Sequence, residues 1–167
     1  MGLHSFIEFI RYQWTAKGRH GTHSPFVYDF VEHVLLDKSI LDRTKLIETP
    51  GIELKYENLV TRIATYYRYT VVCCTADALE PAKHIDLLVI NENNPGTWMN
   101  KFKDHLQWLG NDGAVIALHI HKTKAHSAAW KRMTKQPPVR MSIDLFGLGV
   151  LFFKEEFKER QHFVLKY

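Results

Sequence analysis

A chain of 167 residues with 46% hydrophobic content is the size of one globular domain and can bury most of the surface that its unfolded form exposes. It has no run of eighteen apolar residues, so no segment reads as a membrane-spanning helix, and Met1-Gly2-Leu3-His4-Ser5 lacks the start of a signal peptide. A formal net charge of +4 permits contact with nucleic acid or an anionic surface without requiring either.

Residues 4–16 predict a helix, because Phe6, Ile10 and Trp14 recur every four residues and Ile7 widens the stripe. A polar linker follows, and Ser24-Pro25 opens a second helix that fades near Lys38. Serine suits the N-cap, and proline suits the first helical position, where no amide hydrogen is needed. From residue 45 short apolar runs alternate with helical stretches. Strands are expected over 45–48, 70–74, 85–90 and 114–120, and helices over 53–67, 97–109 (closed by Gly110) and 123–133. Such alternation implies a mostly parallel sheet with helices packed on it. The end breaks the rhythm. Segments 139–146 and 149–153, joined by a turn containing Gly147, predict an antiparallel hairpin, and His162–Tyr167 predicts one more strand. Its edge is a candidate for pairing between chains, which makes a homodimer the expected assembly.

The two cysteines, Cys73 and Cys74, are adjacent in an apolar strand. Neighbouring thiols cannot staple distant parts of a fold, and they fit a reducing, cytoplasmic setting.

Two segments carry a family resemblance. Gly18-Arg19-His20-Gly21-Thr22-His23-Ser24-Pro25-Phe26-Val27-Tyr28 is similar to the N-terminal signature of a Bacteroidetes family of S-adenosylmethionine (SAM)-dependent methyltransferase-like proteins. Residues 143–153, with Gln161-His162-Phe163-Val164-Leu165-Lys166-Tyr167, resemble the end of the same family. The resemblance implies a Rossmann-like class I methyltransferase fold with a mostly parallel sheet, a terminal antiparallel hairpin and an N-terminal helical extension. The whole chain is then one domain, with the extension over 1–38 and an α/β core over 45–167.

The resemblance also says where a cofactor would sit, and those positions carry altered chemistry. Glu48 matches the acid of the first motif, but Gly51 is the only glycine left in its turn and Pro50 removes a backbone donor. Asp77 is the candidate for the acid that grips the ribose hydroxyls. Asn91 stands where an aspartate near the methyl donor is expected, with Glu92 beside it. Leu118 and His119 stand where the family pattern has paired acids, and leucine cannot bind a cation. Each lost hydrogen bond to a buried polar group costs roughly 1–3 kcal/mol, so three losses remove orders of magnitude of SAM affinity. The expected function is a degenerate methyltransferase-like protein without turnover and without a cofactor, acting as a binding or assembly module for a protein or another ligand. One alternative is an active SAM-dependent methyltransferase using Glu48, Gly51, Asp77, Asn91 and Glu92. The other is a nucleic-acid or phosphate binder, with nucleic acid the less favoured partner.

Further constellations stand on their own residues. Arg19, His20, His23 and Ser24 precede a helix start, where free amides favour an anion. His119 and His121, two apart in a strand, are expected on one face, with His126 nearby as a third metal ligand. Lys122, Lys124, Lys131, Arg132 and Lys135 make a basic helix, and Tyr56, Tyr66, Tyr67, Arg68 and Tyr69 an aromatic-basic cluster expected to pack on the sheet. Asp86 and Asp144 read as isolated acids on strands, which gives no basis for a hydrolase.

Overall fold

The computed structural model describes residues 2–17, 24–39, 52–75 and 84–167. Two helices lead the chain. Helix α1 spans Leu3–Thr15. Helix α2 spans Pro25–Phe30, with Ser24 Oγ accepting from the Val27 amide as its cap, and it continues into a π-helical stretch over Val31–Leu36. Helix α3 covers Leu54–Tyr67 and stops at Arg68, which closes it in the left-handed conformation at φ 59°. Strands β1 (Val72–Cys74) and β2 (Ile85–Ile90), helix α4 (Trp98–Leu106), strand β3 (Leu109–Leu118) and helix α5 (Lys124–Met133) follow. Strands β4 (Met141–Asp144), β5 (Leu148–Phe152) and β6 (Gln161–Val164) close the fold.

The six strands form one sheet in the order β1-β2-β3-β5-β4-β6. The pairs β1/β2, β2/β3 and β4/β6 are parallel, and β5 runs antiparallel to both its neighbours, β3 and β4. The protein is therefore mixed α/β, with the expected terminal hairpin in place. Because only β5 is reversed, the carboxyl ends of the other five strands share one edge of the sheet. That edge is where α/β sheets usually place ligands.

Strands β2 and the second half of β3 are apolar on both faces because both faces are covered. Leu87, Val89, Ala114, Ile116 and Leu118 pack under α2 and α3, while Ile85, Leu88, Ile90, Val115 and Ala117 pack under α4 and α5. The tyrosines of the aromatic cluster pack against the first of these cores, and Tyr67 touches Phe26, Tyr66, Tyr69 and Phe152.

Several expectations change. The strand expected over 45–48 lies outside the described residues. Val72–Cys74 pairs directly with β2, with no strand between them. A doubly wound sheet would put its first strand between its second and fourth, so the expected numbering of these strands does not hold. Helix α4 ends at Leu106 rather than Leu109, because the Ile85 amide donates to the Trp108 carbonyl and Ile85 pairs with Leu109, which draws Leu109 and Gly110 into β3. β3 stops at Leu118, before the expected Ile120, because His119 turns the chain at φ 57°. The final strand runs parallel to β4 and ends at Val164. Its outer edge is already engaged: Lys17 bridges to Leu165, its amide donates to Val164 at 2.8 Å, and its carbonyl accepts from Lys166 at 3.2 Å.

The stripe read from α1 points the other way. Ser5 and Tyr12 are the buried residues of this helix, whereas Phe6, Ile7, Ile10 and Trp14 are exposed. Its anchor is Phe146, in the hairpin turn, whose ring meets Phe9 and Tyr12 at 5.2 and 5.3 Å between centroids. Tyr12 also donates its hydroxyl to the Leu165 carbonyl.

Candidate functional site

The carboxyl edge brings two separated polar residues together. After His119 the chain turns inward, so that buried His121 reaches Asp144 at the end of β4. His121 Nε2 donates to Asp144 Oδ2 at 2.8 Å, and the other carboxylate oxygen accepts from the Phe146 amide at 2.9 Å. The other ring nitrogen of His121, Nδ1, is hydrogen-bonded to Ser127 Oγ, 3.0 Å away on α5. Ser127 Oγ in turn lies 3.0 Å from His4 Nε2 on α1. The chain His4–Ser127–His121–Asp144 therefore ties α1, α5, the β3 end and the β4 end together. It contains the residue types of an acyl-transfer triad. Ser127 is buried, however, and its hydroxyl is held between two imidazoles, which gives it a structural rather than a nucleophilic role.

Beside this chain a pocket of about 390 Å³ opens between α5 and the strands β4 and β6. Trp130 and Lys131 line it from the helix, Lys135 from the turn after α5 rather than from the expected basic helix, Ser142 from β4, and Arg160 and His162 from the approach to β6 and its start. Ser142 Oγ donates to the Gln161 carbonyl at 3.4 Å and so accepts from His162 Nδ1 at 2.8 Å. Arg160 is fixed by the carbonyls of Val139, Lys135 and Gln136 at 3.0–3.2 Å. Asp144 is the single acid in the lining, and His121 and the Phe146 amide already satisfy it. Trp130 is buried, and its indole N–H has no hydrogen-bond acceptor among the described residues. Three cationic side chains around one concavity suit a small anion with several oxygen acceptors.

The residues picked out from the sequence fare unevenly. Glu48, Gly51, Asp77, Arg19, His20 and His23 lie outside the described residues. Ser24 serves as the cap of α2. The Asn91 amide donates to Thr75 Oγ1 at 3.3 Å, and the Glu92 carbonyl accepts from Trp98 Nε1 at 3.0 Å. Asn91 and Glu92 are the residues of the expected cofactor site that fall among the described ones.

His119 and His121 do not share a face. The positive φ at His119 ends the strand between them, and His119 turns its ring edge-on to Tyr56 at 5.9 Å. His126 bonds Thr123 Oγ1 at 2.8 Å and meets Trp98. No group of three metal-ligating side chains occurs among the described residues. Burial lowers the pKa of both His119 and His126, and the charge of Lys122 pushes the same way.

Asp144 and Asp86 are not isolated acids. Asp86 accepts from the Thr70 and Val71 amides at 2.8 and 2.9 Å, from the Thr70 hydroxyl at 3.0 Å and from His84 at 2.7 Å. Sequence reasoning missed the pocket because its walls come from three separated segments. The lysines Lys131 and Lys135, close in sequence, were its one local signal.

Compared with known proteins, the chain matches no family model, no curated protein and no solved structure.

Proposed function

We propose that this protein is a methyltransferase-like binding module without SAM-dependent turnover, and that its ligand is a small anion seated between α5 and β4/β6. The observation that carries the reading is the convergence of Lys131, Lys135 and Arg160 on one pocket whose single acid, Asp144, already has its partners. The loss of turnover is supported by the sequence of the first motif, where Pro50 and a single glycine replace a glycine-rich turn, and by the amide at Asn91. Cys73 and Cys74, which form no disulfide, support a reducing, cytoplasmic setting, and no described helix is long and apolar enough to cross a membrane.

Isothermal titration tests both halves. SAM and its demethylated product are expected to give no binding heat, whereas pyrophosphate is expected to bind with an affinity that falls as salt is raised. Micromolar SAM binding defeats the degenerate reading, and an absence of pyrophosphate binding at low salt defeats the anion pocket.

A further inference from the structure

Helix α1 is amphipathic in the wrong sense for a helix that packs on its own protein. Leu3, Phe6, Ile7, Ile10 and Trp14 are 78%, 49%, 47%, 44% and 87% exposed. At 3.6 residues per turn these five lie within an arc of about 100°, roughly opposite the arc that holds the buried Ser5 and Tyr12. An apolar stripe turned to water on a helix whose inner face is already docked marks a contact with something else.

We propose that this stripe is an interface between two copies of the chain, formed by antiparallel pairing of the two α1 helices. Three observations favour a second copy. Leu3, Ile7, Ile10 and Trp14 are spaced by four, three and four, which is the spacing of a coiled-coil seam and calls for another helix. The stripe is also self-complementary about a two-fold axis between Ile7 and Ile10. There Ile7 meets the other copy's Ile10, and Leu3, at the open end, meets the large Trp14. Finally, the area suffices. With side chains of this size near 200 Å² each, the stripe exposes roughly 600 Å², and two of them bury about 1,200 Å², the lower bound of a standard stable interface. A groove of about 540 Å³ beside α1, walled by Leu36 and Tyr167, adds apolar surface next to it.

The charge pattern argues against a lipid surface as occupant. Interfacial helices carry lysine and arginine along the polar face. Within α1 the only such residue is Arg11, and Glu8 holds it at 2.8 Å.

Sedimentation equilibrium of the whole chain tests the proposal. The wild type is expected to sediment at twice the 19.5 kDa chain mass at about 100 µM. Ile7→Glu and Ile10→Lys are each expected to weaken the dimer by about 100-fold or more, since each places two charges against apolar partners across the two-fold, with the circular dichroism spectrum unchanged. Mixing the two variants is expected to restore a heterodimer, because one Glu–Lys pair and one Ile–Ile pair then meet. A monomeric wild type, a dimer that Ile7→Glu leaves as tight, or a mixture that stays monomeric overturns the proposal. So does a wild type that stays monomeric in solution but floats with phosphatidylcholine–phosphatidylserine vesicles.

Discussion

His121 and Asp144 stand 23 positions apart in the chain and 2.8 Å apart in space, where they join the end of β3 to the end of β4. Strand β5 lies between β3 and β4 in the sheet, so no backbone ladder connects those two ends. The imidazole–carboxylate bond bridges that gap over the hairpin turn. Phe146 completes the closure by stacking on His121 at 5.6 Å while its amide donates to Asp144.

Asp144→Ala is therefore expected to be strongly destabilising. It leaves a buried donor, His121 Nε2, and a part-buried one, the Phe146 amide, without their acceptor. At about 1–3 kcal/mol for each unsatisfied buried group, urea denaturation should show a loss of about 2–5 kcal/mol. Ser127→Ala, which removes a single hydroxyl from the same chain, should lose about 1–2 kcal/mol. Equal stability of Asp144→Ala and wild type would refute the bridging role.

Asp86 predicts a pH dependence. Burial alone would raise its pKa, but the Val71 and Thr70 amides, His84 and the Thr70 hydroxyl outweigh it and bring the carboxyl down to about 2. An unfolded aspartate titrates near 3.9. The stabilisation from this site is thus complete above about pH 4 and is lost as pH falls towards 2. Asp86→Asn is expected to cost about 2 kcal/mol at pH 7, by loosening the start of β1 from β2, and close to nothing at pH 2. An undiminished difference at low pH would show that the carboxylate charge is not what holds Thr70 and Val71.

The histidines act at higher pH with the same sign. His119 and His126 have their pKa lowered in the fold, chiefly by burial, so the unfolded chain takes up protons near pH 6.5 that the folded chain resists. Their contribution is present above that pH and disappears below it. The melting temperature should therefore drop between pH 7.5 and 5.5, and His126→Gln should flatten part of that drop. A profile unchanged by the substitution would place the proton uptake elsewhere.

How far the sequence could be read depends on how local each determinant is. β2 was legible because Ile85-Asp86-Leu87-Leu88-Val89-Ile90 is a bounded apolar run, and the α2 start because Ser24-Pro25 is a cap with its own signature. The hairpin was legible from Gly147 between two apolar runs. Gly110 misled, because a glycine after an apolar helix reads as a stop, whereas here pairing of Ile85 with Leu109 had already recruited the segment to β3. Helix α1 was legible as a helix but not in its orientation. Periodicity reports that a stripe exists, and only the tertiary contacts of Phe9 and Tyr12 with Phe146 decide which side of the helix faces in. The pocket was illegible for the same reason that Asp144 looked isolated: its partner arrives from another strand.

Gly149 connects packing to the pocket. It lies in β5 under α5, and a methyl group added there would come within 2.5 Å of Trp130 Cζ2. Ring and backbone cannot both stay, so Gly149→Ala is expected to push α5 off the sheet and cost about 1–3 kcal/mol as overpacking. Trp130 lines the pocket, so the variant should also weaken anion binding although no cationic side chain is removed. Calorimetry showing full affinity in a destabilised Gly149→Ala would separate Trp130 from the ligand site.

The lysines supply the last test, because they touch the pocket without being part of the core. Lys131 on α5 and Lys135 in the turn after it are both exposed, and neither takes part in a salt bridge found among the described residues, so their removal should leave stability nearly unchanged. A charged hydrogen bond is worth about 1.5–3 kcal/mol, so Lys131→Ala and Lys135→Ala should each weaken pyrophosphate binding by about 10–100-fold. Lys124→Ala, on the same helix but outside the pocket lining, should change it little. If all three variants weaken binding equally, the helix acts as a diffuse basic surface, which is the behaviour of a nucleic-acid binder. In that case retention of RNA or DNA should fall steeply with salt, and the pocket ceases to be the site.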